Sequence, residues 1–202
     1  MAENYYSKIQ KLITDNQYFL SINLKMCIVK IRTVILWSIV LVVIEQAIKW
    51  IISTNYQNVN IEIIPSLLEF KPTLNDKTLY WLGLMNIDAG RWARIAIGII
   101  ILGICCIYYP YMKETLKYRT CLDVAFIFCF AGVLCSLSDN VFFGGSWDYV
   151  YLKPLFIFDL KDLYMNCFVV FFVICCYINR VEISKIRMKD IISFLKNGLK
   201  QA

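Results

Sequence analysis

Apolar positions gather in four runs separated by polar stretches: residues 33–53 ("TVILWSIVLVVIEQAIKWIIS"), 94–112 ("RIAIGIIILGICCIYYPYM"), 121–138 ("CLDVAFIFCFAGVLCSLS") and 163–180 ("LYMNCFVVFFVICCYINR"). Each approaches the ~20 residues a helix needs to cross the hydrocarbon core. Backbone groups in lipid must pair internally, so each run is expected to be a helix. The segment 54–93 is too long for a simple turn. Within it "NVNIEIIPSLLEF" alternates, with Pro65 and Pro72 as breaks, which reads as short strands. The pattern therefore predicts an all-α membrane protein of four transmembrane helices, with a small extracytoplasmic β-element between helices 1 and 2. Residues 1–32 form an expected cytoplasmic extension, with an amphipathic helix around "YYSKIQKLI". No signal-peptide pattern precedes the first run. Residues 33–180 are the four-helix domain, and 181–202 a basic cytoplasmic tail.

Charge then orients the spans. With four spans both termini share a side, and that side carries fourteen Lys and Arg residues against seven on or toward the other. The positive-inside bias places both termini in the cytoplasm and the loop after the third run outside. The chain has 202 residues, enough for one domain, and is 59% hydrophobic, which the bilayer accommodates better than water. Its net charge of +6 comes from residues flanking apolar runs rather than lining a groove with aromatics, so nucleic acid is not an expected partner.

Histidine is absent, which removes the commonest general base and metal ligand. Nine cysteines, including Cys27 before the first run, show no C-x-x-C pair. They are expected to pack as small apolar side chains, with no metal site and no cofactor.

The candidate chemistry is carboxylate chemistry. The stretch 136–166 holds Asp139, Asp148, Asp159 and Asp162. Counting from Asp123 near the inner end of helix 3, Asp139 lies ~24 Å along the axis, at the outer boundary. Asp162 opens helix 4, with Arg180 ~27 Å away at its other end. The two therefore share a depth on neighbouring helices. Two such carboxylates in a poorly solvated place divide into an acid and a base, which suits attack of water on a peptide carbonyl. The other reading is structural: Asp162 complements a helix dipole and Asp139 is solvated. Glu45 and Lys49, four apart on one face, either brace helix 1 or contact substrate, and Lys49 is also able to snorkel outward. Asp123 is expected at the interface near Arg119. Trp50, Trp81, Trp92, Trp147 and Tyr149 fit an outer aromatic belt. Gly144–Gly145 lets the loop turn.

These motifs, in this order, resemble the lipoprotein signal peptidase (signal peptidase II) family from about residue 35 to 180. The family's D-Q-x-x-K is similar to Glu45-Gln46-Ala47-Ile48-Lys49. Asn75 stands for the asparagine of N-x-G-A-A-F. The G-N-x-x-D-R motif is similar to Cys135-Ser136-Leu137-Ser138-Asp139-Asn140, V-V-D-F to Ser146-Trp147-Asp148-Tyr149, and F-N-x-A-D to Phe158-Asp159-Leu160-Lys161-Asp162. The resemblance implies a membrane aspartic endopeptidase that removes the signal peptide from lipid-modified prolipoproteins. It also implies an Asp139/Asp162 dyad on the outer face of a bacterial inner membrane. Asn75, Lys49, Glu45, Ser136, Asn140, Asp148 and Asp159 are the supporting residues. The implied partners are a lipidated precursor and membrane lipid, around a monomer. Ser136, Asn140, Asp159 and Lys161 depart from the motifs, which keeps open a non-catalytic relative that binds a lipoprotein or membrane peptide. Lys161 is expected to reach outward to the headgroups, because a buried ammonium is costly. A small ion carrier fits less well, since helices 2 and 4 lack ionisable residues at mid-depth.

Overall fold

The computed structural model describes residues 31–76 and 90–201. The N-terminal extension with its expected amphipathic helix, Cys27 and Trp81 lie outside them. Four helices are long and apolar enough to cross a membrane: α1 (Ile31–Asn55), α2 (Gly90–Thr115), α3 (Thr120–Phe142) and α4 (Leu160–Ile178). Helix α4 begins before its apolar run because Asp159 and Asp162 cap it. It ends at Ile178, where Asn179 folds its side chain back onto the Cys175 carbonyl at 3.0 Å.

Helix α1 is polar inside and apolar outside. Val34, Ser38, Glu45, Lys49 and Ile52 are buried at spacings of one helical face, whereas Leu36, Trp37, Val43 and Ile44 are exposed. A helix in water shows the reverse, so this inversion marks a lipid-facing surface. Helix α3 is the centre of the bundle: it packs along α2 and α4 and carries the most buried residues of the four, from Leu122 to Asn140. Toward its N-terminal end Phe126 meets Tyr109 at 5.0 Å, Phe130 at 5.7 Å and Phe168 at 6.2 Å, tilted or edge-on as ring quadrupoles prefer. Beside this cluster Lys113 is buried on α2. Asp123 accepts from Lys113 and from the Tyr109 hydroxyl, both at 2.8 Å, rather than pairing with Arg119, which donates to the Leu116 carbonyl. Cys129, Cys135 and Cys175 are buried among the helices, as small apolar side chains should be.

The β-element is larger than the sequence pattern suggests. Strands β1 (Ile61–Ile64) and β2 (Leu68–Asn75) come from the α1–α2 connection, and β3 (Ser146–Leu152) and β4 (Phe156–Phe158) from the α3–α4 connection. They form one antiparallel sheet in the order β1-β2-β3-β4. The β2–β3 register sets Thr73 opposite Asp148 and Asn75 opposite Ser146. Gly144, at φ +73°, turns the chain from α3 into β3. Gly145 lies so close to the end of β2 that a Cβ would stand 2.7 Å from the Asn75 carbonyl oxygen, so only glycine fits. Beyond α4, the expected tail forms a short helix, α5 (Arg180–Ile183), and α6 (Met188–Gln201). On α6 Ile191 is buried and the Phe194 ring meets Tyr111 at 5.6 Å.

Candidate active site

The buried face of α1, the end of α3, the start of β3 and the N-terminus of α4 converge on Lys49. Its ammonium donates to Asp139 and to Asp159 at 2.5 Å each and to Ser146 Oγ at 3.1 Å, and it pairs with Glu45 at 3.1 Å. Lys49 is fully buried and does not snorkel, because three carboxylates compensate its desolvation. Asp139 is 0% exposed, not solvated. Gln46 donates to one of its oxygens at 2.8 Å, and Lys49 and Ser146, at 3.0 Å, hold the other. Glu45 accepts from the Tyr149 hydroxyl at 3.0 Å, and that hydroxyl accepts from the Leu160 amide at 3.3 Å. Tyr149 is therefore a buried tie between α1, β3 and α4 rather than part of an aromatic belt. Burial, with the charge of Glu45, pushes its phenol well above the usual range. Trp50 and Trp92 are exposed, as a belt requires.

Asp159 and Asp162 cap α4 reciprocally. The Asp159 side chain accepts from the Asp162 amide at 3.0 Å, and the Asp162 side chain from the Asp159 amide at 3.4 Å. The structural reading of Asp162 as a helix-start residue is thus realised, on a carboxylate that also opens to the site. Lys161 points inward, against the expectation. Its ammonium donates to Asp159 at 2.8 Å and Ser146 Oγ at 2.9 Å, and lies 3.8 Å from Asp162 and 3.9 Å from both Asp148 and Asp139. Four carboxylates offset the cost of burying it, and two of them, Asp139 and Asp148, come from α3 and β3 rather than from its sequence neighbours. Burial pushes the Asp159 carboxyl up, but Lys161 and Lys49 outweigh it and hold it below the usual carboxylate range.

These groups line one wall of a cavity of about 430 Å³. Asp139, Asp148 and Asp162 all reach it, together with Asn75, Ser136 and Lys161, and Ile97, Ile101 and Met165 supply its apolar side. Asp148, brought in by β3, is buried and accepts from the Asn75 amide at 3.0 Å. Burial keeps its carboxyl above the ordinary value, against the pull of Lys161 and the Asn75 hydrogen bond. Carboxyl oxygens of Asp148, Asp159 and Asp162 lie within 4.8 Å of one another, and the cation beside them is Lys161. Asn140 accepts from Arg94 Nε at 2.7 Å and donates to the Ser136 carbonyl at 2.8 Å, so a guanidinium reaches this place from α2 where the family motif carries one on α3. Arg94 also donates to the Gly144 carbonyl at 2.8 Å, and Arg91 to the Asn140 carbonyl at 2.6 Å, satisfying the end of α3.

The family model for signal peptidase (SPase) II, a peptidase A8 family, matches residues 37–178. The chain belongs to the signal peptidase II family. That family is one of proteases, and its match together with the four apolar helices makes this a multi-pass membrane protein of lipoprotein signal peptidase type. Two solved bacterial membrane enzymes, both determined by the in meso method, share the fold. The one at 2.3 Å resolution superposes with a TM-score of 0.62 at 23% identity, covering 77% of this chain and 94% of that one. The one at 1.9 Å gives 0.57 at 26% identity, covering 70% and 90%. Among curated proteins none matches the chain. Within the signal peptidase II motifs, sequence reasoning gave no role to Gln46 or Ser146, and it pointed Lys161 outward. Arg94 was read only as a topology signal, because its partner Asn140 is 46 residues away.

Proposed function

We propose that this signal peptidase II family member is an aspartic endopeptidase that cuts a lipid-modified prolipoprotein, and that Asp148 and Asp162 are its acid–base pair. The observation that carries the pairing is the approach of their carboxyl oxygens to within 4.8 Å on the cavity wall. Asp162 remains the expected second aspartate. Asp139, the expected first, is fully engaged by Lys49, Gln46 and Ser146, so it serves better as the anchor of the buried network. Asp162, half-exposed, suits the base, and buried Asp148 suits the acid.

Water gives a proton to the ionised carboxylate as its oxygen bonds to the peptide carbon. The carbonyl π pair moves onto oxygen. The tetrahedral species then collapses, and the C–N bond breaks as the protonated partner delivers its proton to the leaving nitrogen. Each proton transfer contributes ~10²–10⁴ in rate, and the proton left on Asp162 passes back to Asp148 before the next cycle. The apolar wall of Ile97, Ile101 and Met165 faces the precursor's acyl chains. The excess of Lys and Arg on the termini's side supports cytoplasmic termini and an outward-facing sheet in the inner membrane.

The test is cleavage of a lipidated precursor by purified protein, read as a gel shift. Asp148→Asn and Asp162→Asn are each expected to lower the rate by about 10³-fold or more in protein that remains folded in micelles. Normal cleavage by both variants rejects the pair. The altered motif residues Asp159 and Lys161 favour a second reading, a binding protein for a membrane peptide. That reading wins if the wild-type chain binds the lipidated precursor without cutting it.

A further inference from the structure

Lys161 is the group at the site that the proposed chemistry leaves unused. Its ammonium has three donors. Two go to Asp159 and Ser146 Oγ, at 2.8 and 2.9 Å. The cation remains 3.9 Å from Asp148 Oδ1 and 3.8 Å from Asp162 Oδ1, about 1 Å beyond a hydrogen bond and within ion-pair reach of both. Asp148 Oδ1 is buried and has no hydrogen-bond partner among the described residues, and Lys161 is the cation that faces it there.

Charge reaches the pair from the helices and from β3, whereas β2 and β4 bring the neutral Asn75 and Ile157. Helix α1 brings Glu45 and Lys49, and α3 brings Asp139. Helix α4 brings Asp159, Lys161 and Asp162, and β3 brings Asp148 beside Tyr149. Arg94 of α2 is committed to Asn140, Gly144 and Asp76. Lys49 lies between Asp139, Asp159 and Glu45, so Lys161 is the cation that reaches both members of the pair.

We propose that Lys161 is a positioning residue for the acid pair: carried inward by Asp159, its ammonium limits how far toward alkaline pH Asp148 keeps its working proton. The proposal rests on the Asp148–Asp162 reading. The sign follows from charge. A cation favours the ionised carboxylate, so its removal lets Asp148 stay protonated to higher pH and moves the alkaline limb of the rate profile upward. An opposite charge within about 4–6 Å moves a carboxyl by about 1–3 pH units.

The experiment is the pH profile of kcat/KM for lipidated-precursor cleavage in detergent micelles. Lys161→Met is expected to move the alkaline limb up by at least about 1 unit, while Lys161→Arg, which keeps the charge, stays with the wild type. Asp159→Asn/Lys161→Ala, which removes one charge of each sign, should fall between them, and it supplies the measurement if Lys161→Met does not fold. An alkaline limb unmoved in Lys161→Met, or moved equally in Lys161→Arg, overturns the proposal. If Asp148→Asn and Asp162→Asn meanwhile abolish cleavage, the pair stands without Lys161. If those two cleave normally, the pair itself has failed, and this inference with it.

Discussion

The molecule buries a lysine at each end of its bundle, and the two are built differently. Lys113 sits among Tyr109 and Asp123 beside the Phe126 cluster, one cation against one carboxylate on two adjacent helices. Lys49 meets three carboxylates supplied by α1, α3 and the cap of α4, and a second cation, Lys161, shares two of them. The first cluster is closed in charge and borders apolar rings. The second carries an excess of carboxylates and borders a cavity. A matched buried pair braces two helices, whereas an unmatched set beside a cavity has titratable capacity left for chemistry. In sequence Lys49 lies inside an apolar run and Lys113 just past one, but it is their partners that separate the two sites.

The largest expected effect follows from that count of partners. Lys49→Met leaves Glu45, Asp139 and Asp159 buried without the cation that all three share, and removing one member of a buried ion pair costs about 3–5 kcal/mol. Lys113→Met leaves Asp123, 16% exposed and still bonded to Tyr109, for a loss of about 1–3 kcal/mol. Unfolding by SDS titration in micelles checks the order. Equal losses would erase the distinction between the two ends.

Much of this was legible in the chain. Hydropathy located the four spans because lipid imposes one pattern on them, and the motif order placed Lys49, Asn75, Asp148, Asp159 and Asp162 at one site. The sheet was only half legible: β1 and β2 alternate visibly, but the pairing of β2 with β3 joins residues more than 70 apart, such as Asn75 and Ser146. The approach of Asp148 to Asp162 was hidden for the same reason: depth along the helices sets Asp139 level with Asp162, whereas Asp148 comes to it on β3. The direction of Lys161 was illegible because it depends on four carboxylates, of which sequence adjacency revealed Asp159 and Asp162 but not Asp139 and Asp148.

A smaller effect sharpens the comparison through pH. The carboxyl of Asp159 is held below its unfolded value, so its contribution to stability is present above the unfolded pKa of ~3.9 and disappears as pH falls through the folded one. Stability measured from pH 6 downward should therefore fall below about pH 4. Asp159→Asn should flatten that part of the curve, because the site then has no ionised cap to lose. A curve of wild-type steepness in Asp159→Asn would show that the acid sensitivity arises elsewhere than the Lys49 cluster.

The smallest effect belongs to Lys153, which separates partner number from burial. Its ammonium pairs with Glu62 at 2.6 Å and Glu69 at 2.9 Å, tying the β3–β4 turn to β1 and β2. It thus has more carboxylate partners than Lys113. Those partners raise its pKa, with the hydrogen bonds to Glu62 and Glu69 as the main cause. Yet Glu62 is 56% exposed, and water solvates the carboxylates once the lysine is gone. If the number of partners governed the cost, Lys153→Ala would destabilise more than Lys113→Met. If burial governs it, Lys153→Ala should cost least, and the difference from wild type should vanish near 1 M salt, where charges are screened beyond about 3 Å. Melting both variants at low and high salt decides the matter. The Lys113 loss should persist in salt, since bulk ions do not reach a side chain that is 1% exposed.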